Sequence, residues 1–244
     1  MKIAILSDIH GNISALNAVL SHAHSQSVDQ TVNLGDICSG ALWPKETADR
    51  LMALGLPTIR GNHERQVLTT PLEKMGLSDR RARETLRDDQ LAWLADLPET
   101  LWLSEQVLLV HGTPDSDLQY FLETVTENGV RPATLDEVAT RAGEVDAQLI
   151  LCGHTHVPRA VRLADGRLIV NPGSVGLPAY DDIHPFPHVI ENRAPHARYA
   201  IVSNERDQWD VSFHMVAYDW EQAAREAEAH KRPDWVAALL TGMT

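Results

Sequence analysis

Lys2-Ile3-Ala4-Ile5-Leu6-Ser7-Asp8-Ile9-His10-Gly11-Asn12 opens the chain with an apolar run that ends on an aspartate and a histidine two residues apart. The run Ile3–Leu6 reads as a buried strand. In an open α/β sheet, ligands and chemistry collect at strand ends. The same arrangement returns four times. Thr31–Leu34 leads into Gly35-Asp36, and Pro57–Ile59 leads into Gly61-Asn62-His63-Glu64. Val107–Val110 leads into His111-Gly112, and Gln148–Leu151 into Gly153-His154-Thr155-His156. One histidine after a strand carries little information. Five such junctions, each bearing Asp, Asn or His, point to a metal site.

Between these junctions the pattern turns helical. Ile13, Leu16, Val19, Leu20 and Ala23 recur at helical spacing, with Asn12 placed to cap the start. Trp43–Leu54 reads as a second helix, closed by Gly55 and Pro57. Such alternation predicts a mostly parallel sheet covered by helices. From Arg65 to Pro98 the rhythm breaks into a polar stretch with short helices at Ser78–Arg87 and Asp88–Leu97, a helical elaboration at about 65–98. Thr134-Leu135-Asp136-Glu137 has capping-box form and opens a further helix.

Beyond His156 the chain reads as strands at Arg159–Leu163, Leu168–Val170, Tyr199–Val202 and Trp209–Val216, and a second sheet is expected there. Residues 178–196 are rich in Pro and His and read as a long loop. The tail from Asp219 to Leu240 reads as helix broken at Pro233, with packing as its expected role. The whole is expected to form a single domain over residues 1–244.

Composition narrows the function. With 34 acidic and 21 basic residues, the formal net charge is −13. That opposes sequence-independent binding to duplex nucleic acid or to an anionic membrane, both of which need a basic patch. It leaves room for an anionic small substrate at a locally cationic metal site. Two cysteines, Cys38 and Cys152, make neither a zinc ribbon nor a disulfide framework. The chain begins directly in a strand, and no apolar run reaches membrane-spanning length; the expectation is a cytoplasmic protein.

Hydrolysis of a phosphate ester needs charge neutralisation, a strong nucleophile at neutral pH and a stabilised leaving group, and two metal ions roughly 3.5–4 Å apart supply all three. Asp8, His10, Asp36, Asn62, His111, His154 and His156 form a suitable nitrogen and oxygen donor set. Ligands of this mix suit Mn, Fe, Zn, Co or Ni, and Mn is favoured for activity.

These residues carry a resemblance. The order D-x-H, G-D, G-N-H-[DE], H and G-H-x-H resembles the calcineurin-like metallophosphoesterases, with all five blocks present between Asp8 and His156. Asn171-Pro172-Gly173-Ser174 extends the likeness. His111-Gly112-Thr113-Pro114 and Gly153-His154-Thr155-His156-Val157-Pro158 resemble the bacterial phosphodiesterase-like branch. The resemblance implies a four-layer α/β/β/α sandwich of two mixed sheets flanked by helices. It implies that Asp8, His10, Asp36 and His156 hold a first divalent metal. Asp36 would bridge to a second, completed by Asn62, His111 and His154. It further implies a metal-bridging hydroxide as nucleophile and His63 as the residue that assists the leaving group. The expected substrate is a small phosphodiester or phosphomonoester. The alternative is a non-catalytic metal-binding interaction scaffold of the same fold, against which all the ligand positions and His63 speak.

One departure stands out. In the protein-phosphatase branch the second block continues G-D-x-x-D-R-G, and its second Asp orients the catalytic His. Here Ser39 occupies that place and no Arg follows. A hydroxyl cannot stabilise an imidazolium as a carboxylate does, so strong phosphoprotein activity is not expected. Ser39, Tyr180 and His184 are candidate substrate contacts. Arg60 is expected in a salt bridge and Glu64 in a supporting role. His22, His24, His214 and His230 are expected at the surface, and the 178–196 histidines in a solvated loop.

Overall fold

The computed structural model describes residues 1–205 and 208–244. Its elements in chain order begin with β1 (Lys2–Leu6), α1 (Ile13–Ser25), β2 (Gln30–Asn33) and α2 (Pro44–Leu54). Helices α3 (Asn62–Thr69), α4 (Leu77–Thr85) and α5 (Asp88–Asp96) fill the polar stretch. Next come β3 (Leu101–Ser104), β4 (Val107–Leu109), β5 (Glu123–Thr126), β6 (Gly129–Pro132), α6 (Leu135–Ala142) and β7 (Leu149–Leu151). The chain closes with β8 (Arg159–Arg162), β9 (Leu168–Asn171), β10 (Ala179–Asp182), β11 (His188–Glu191), β12 (Ala197–Glu205), β13 (Gln208–Val216), α7 (Trp220–Ala229) and α8 (Pro233–Thr241).

Two mixed sheets make the centre. One has the order β13-β12-β1-β2, the other β3-β4-β7-β9-β8. In the first, β1 and β2 are parallel. In the second, β4, β7 and β9 are parallel and the two edge strands run against them. Side chains alternate across a strand, and β1 uses both faces. Ile3 and Ile5 join Val32, Leu34, Val107, Leu109, Leu149, Leu151 and Val170 in the core between the sheets. Ala4 and Leu6 face the other way, into Leu16 and Val19 of α1 and Ala48 and Leu51 of α2. On the far side, Leu108, Ile150 and Ile169 meet Val138 and Ala142 of α6. The order of layers is helix, sheet, sheet, helix, as the resemblance implies.

Caps fix the helices that abut the strand ends. Asn12 accepts from the Ala15 amide at 3.1 Å, while its Nδ2 donates to the Gly176 carbonyl. Such a cap is worth about 1 kcal/mol. Thr134 and Glu137 form the reciprocal capping box at α6.

Four expectations are corrected. Pro57–Ile59 does not form a strand: it makes a single parallel bridge, Asn33 to Thr58, because Pro57 offers only its carbonyl. The strands at 197–216 extend the first sheet rather than the second, since β12 pairs antiparallel with β1. Period-two alternation specifies a strand, not its neighbours. The 178–196 loop is a two-stranded hairpin, β10 against β11, whose four-residue strands are hidden between Pro178, Pro185, Pro187 and Pro195. Within it His188 is buried, not solvated. The C-terminal tail does more than pack, because α8 walls the cavity described next.

Candidate metal centre

The parallel strands bring their C-terminal ends to one end of the sandwich. Asp8 and His10 follow β1, Asp36 follows β2, His111 follows β4, and His154 and His156 follow β7. Asn62 and His63 form the first turn of α3. Backbone bonds tie these turns together: Asp8 N–H to Gly35 O at 3.1 Å, His10 N–H to Asp36 O at 2.9 Å, and Gly153 N–H to His111 O at 2.8 Å. Asp8, His10, Asp36, His154 and His156 all sit at left-handed φ, between 51° and 70°. Asp and His tolerate that region better than most residues, and such local strain clusters at functional sites.

Two groups of three donors form. Asp8, His10 and His156 can place one donor atom each within 4.8 Å of one another, as can Asp36, His111 and His154. Asn62 Oδ1 lies 3.1 Å from His111 Nε2, beside the second group. His111 Nε2 is also 3.2 Å from Asp36 Oδ2.

Each imidazole is oriented by a bond through its other nitrogen. Nδ1 of His10 meets Ser39 O at 2.8 Å, Nδ1 of His111 meets Leu34 O at 2.7 Å, and Nδ1 of His156 meets Leu177 O at 2.7 Å. Nε2 of His154 meets Leu118 O at 3.1 Å, leaving Nδ1 for the site. Donation to a carbonyl fixes the tautomer and turns the second nitrogen's lone pair inward, the usual second layer of a metal site. Glu64 braces the turns from below. Its carboxylate accepts from the amides of Asp36, Ile37 and Gly61, each at 2.8 Å.

The charges complement one another. Burial alone would raise the Asp8 carboxyl, but His156 and His111 hold it below its ordinary range. Asp36, also buried, is held well below that range by His111 and His63. Burial with His156 pushes His10 down to about 4, and burial with His111 pushes His154 down to about 4, so both are neutral and ready to ligate. Burial would lower His111 too, but Asp36 carries it up to about 10. In the metal-free protein a proton there does part of a cation's work. The donor set fits divalent metal.

Above the groups lies a cavity of about 1000 Å³. His63 lines it, its ring edge-on to His10 with centroids 5.4 Å apart. Ser39, Tyr180 and His184 line it as well. The Ser39 hydroxyl, however, donates to Asp79 Oδ1 at 2.6 Å rather than pointing free into the cavity. Tyr180 lies edge-on to His156, with centroids 4.7 Å apart, and its hydroxyl is 2.7 Å from that of Tyr120. Tyr120 in turn reaches His188 Nε2 at 3.0 Å. His184 sits at the exposed hairpin tip. Arg60 pairs with Glu99.

A calcineurin-like phosphoesterase superfamily domain matches residues 1–188, more than half of the chain. The chain belongs to the calcineurin-like phosphoesterase superfamily. A protein of Methanocaldococcus jannaschii, named Uncharacterized protein MJ0912, is 26% identical over an alignment of 261 residues that covers 98% of this chain and 96% of the relative. The crystal structure of a metallophosphoesterase from Sphaerobacter thermophilus is 26% identical and superposes with a TM-score of 0.76. That match covers 99% of this chain and 100% of the other. The two donor groups are therefore candidate metal sites of a metallophosphoesterase fold.

Several site residues escaped sequence reading. Tyr120, Arg232 and Trp235 line the cavity and Asp79 stands behind His63, from three separate segments, and none stands beside a strand end. Asp79 sits in the first turn of a helix, where an acidic residue is ordinary. No signal in the chain sets it apart.

Proposed function

We propose that the protein is a dinuclear metal-dependent phosphoesterase that hydrolyses a small phosphodiester, with phosphomonoesters as poorer substrates. The observation that carries this reading is the pairing of two ligand groups, Asp8/His10/His156 and Asp36/His111/His154, beneath one cavity that His63 lines. Two divalent cations held there would neutralise phosphate charge, activate water near neutral pH and stabilise the departing oxygen. Mn, Fe, Zn, Co and Ni all suit the donor set, and we favour Mn for activity.

His63 is placed to give the leaving oxygen its proton. Its Nδ1 faces Asp79 at 2.7 Å, which leaves Nε2 for the substrate. Burial would lower the imidazole, but Asp36 and Asp79 hold it up at about 9, so the ring carries that proton at neutral pH.

The walls favour a diester over a monoester. Arg141 and Arg232 are the arginines that line the cavity among the described residues, and both are engaged. Arg141 donates to Phe121 O, Glu123 O and Thr124 Oγ1, while Arg232 holds Asp234 and Ser78. Glu123 and Asp234 are paired with Arg159 and Arg232, while Asp181 and Asp182 add acidic side chains to the same walls. A diester brings one negative charge and a monoester up to two, so repulsion selects the diester. The net charge of −13 argues likewise against duplex nucleic acid and anionic membrane as partners. Cys38 and Cys152 are both free and buried, which supports a reducing, cytoplasmic setting. No helix among the described residues is long and apolar enough to cross a membrane.

The test is hydrolysis of bis(4-nitrophenyl) phosphate and 4-nitrophenyl phosphate by metal-stripped protein, with and without Mn²⁺ and the other four metals, beside His63→Ala. Turnover that needs metal and favours the diester is expected, with His63→Ala losing most on a diester that releases an alkoxide and little on these nitrophenyl esters. No turnover of either ester with any metal would overturn the enzyme reading in favour of the scaffold.

A further inference from the structure

The motif that would carry an orienting carboxylate has Ser39 in its place, yet His63 does not lack one. Asp79 Oδ1 accepts from His63 Nδ1 at 2.7 Å and from Ser39 Oγ at 2.6 Å. Asp79 belongs to α4, within the helical elaboration and outside the five strand-end blocks. It is 7% exposed, and among the described residues His63 is the only cationic group in ion-pair contact with it. A buried carboxylate needs a charged or hydrogen-bonding partner, and here a hydroxyl and an imidazole share one oxygen.

We propose that Asp79 is the positioning residue for His63: helix α4 delivers the carboxylate, Ser39 aims it, and together they hold the imidazole with Nε2 toward the leaving oxygen. This inference rests on the phosphoesterase reading of the site. Two arrangements could explain the contact, a clasp that merely docks α4 or a device that fixes the ring. The geometry favours the second. A clasp is complete with the Ser39 bond, whereas the bond to Nδ1 selects one tautomer of His63. Its other polar contact is made by the backbone amide, to Asp36 Oδ1 at 3.0 Å, and leaves the ring free to turn. In the reaction, Nε2–H breaks as the leaving oxygen gains that proton, and Nδ1–H stays bonded to Asp79 throughout.

Asp79→Asn keeps the shape and removes the charge, and Ser39→Ala removes the hydroxyl that aims it. Each variant is loaded with Mn²⁺ and assayed on two diesters, one releasing 4-nitrophenolate and one releasing an alkoxide. A proton donor matters for the poor leaving group and little for the good one. For Asp79→Asn, kcat on the alkyl ester should fall about 10²-fold, the usual lower bound for general acid catalysis. The nitrophenyl ester should be nearly unaffected, and bound metal unchanged. Ser39→Ala should show the same selectivity with a smaller loss. Equal loss on both esters, or loss of metal, would make Asp79 a structural clasp and overturn the proposal. Long-range ¹H–¹⁵N spectra, with His63 identified by His63→Ala, supply a readout independent of turnover. In the neutral ring, observed at high pH, the Nδ1–H tautomer should dominate in the parent protein and be depleted in Asp79→Asn. A parent inactive on both esters would sink the esterase reading, while the Nε2–H tautomer in the neutral ring of the parent would sink the positioning role by itself.

Discussion

The Nε2 atoms of His10 and His156 face each other 3.1 Å apart, and each ring has its Nδ1 on a backbone carbonyl. Two lone pairs so placed repel unless a proton or a cation lies between them. Asp8 Oδ1, 3.4 Å from His156 Nε2, adds a negative charge to the same point. The site is built in a form that a divalent cation completes.

Metal should therefore stabilise the fold strongly. At a thousandfold excess over its dissociation constant, a ligand adds about 4 kcal/mol, which for a chain of this size raises Tm by on the order of 10 °C. Scanning fluorimetry of stripped and Mn²⁺-loaded protein measures this, and EDTA should reverse it. His156→Ala should lose one of the two metal equivalents found by elemental analysis. Retention of both would remove His156 from the ligand set.

Metal and protons should compete at His111. In the metal-free protein its pKa rises from 6.5 to about 10, so its stabilising contribution is complete below 6.5 and is lost as pH rises through 10. Asp36 is depressed from 3.8, so its contribution is present above 3.8 and is lost as pH falls. Stability of the stripped protein from this pair should be greatest between those limits and decline toward pH 10. Metal replaces the His111 proton, so loading should flatten that decline and metal affinity should rise with pH. Melting curves across the range, with and without metal, decide it; a flat metal-free profile would contradict the assignment.

Glu64→Gln should damage the site without touching a ligand. The carboxylate holds three backbone amides, and charge-assisted bonds of this kind contribute about 1.5–3 kcal/mol each. The amide retains one acceptor oxygen and turns a donor toward an N–H. A stability loss of about 2–4 kcal/mol in urea unfolding is expected, with weakened metal binding because the Asp36 turn loses its brace.

Gly61→Ala should abolish metal binding. A Cβ there would overlap the Asp36 carboxylate and approach Cε1 of His111. Gly61 has φ of −96°, so backbone strain is not the cause; the side chain simply has nowhere to go. Circular dichroism should show a folded protein, and elemental analysis a metal-depleted one.

The candidate donor set was legible because each member stands close in sequence to the element that positions it. Asp8, Asp36, His111 and His154 follow apolar runs within three residues, and packing of those runs into two sheets brings them together. The surroundings were illegible for the opposite reason. Asp79 is 16 residues from His63, and Trp235 is still farther along the chain. Their placement depends on how α4 and α8 dock, which local periodicity does not encode. Val211, Phe213 and Met215 alternate with the polar phase Ser212 and His214 along β13, yet Phe213 and Met215 are exposed at the edge of the first sheet. The polar phase was no safer guide: His214, expected at the surface, stacks on Tyr199.

Helix α8 enters the cavity wall from beyond residue 188, where the family match ends. The candidate ligands and this wall thus reside on different lengths of chain, which meet where Trp235 stands edge-on to His10 and where α7 and α8 pack on Ala41, Leu42 and Leu177. A graft of another tail in place of residues 219–244 would recut that wall without altering any strand-end donor in sequence. On the proposed reading, the strand ends supply the chemistry and the C-terminal helix supplies part of the selectivity, so the two can be varied separately.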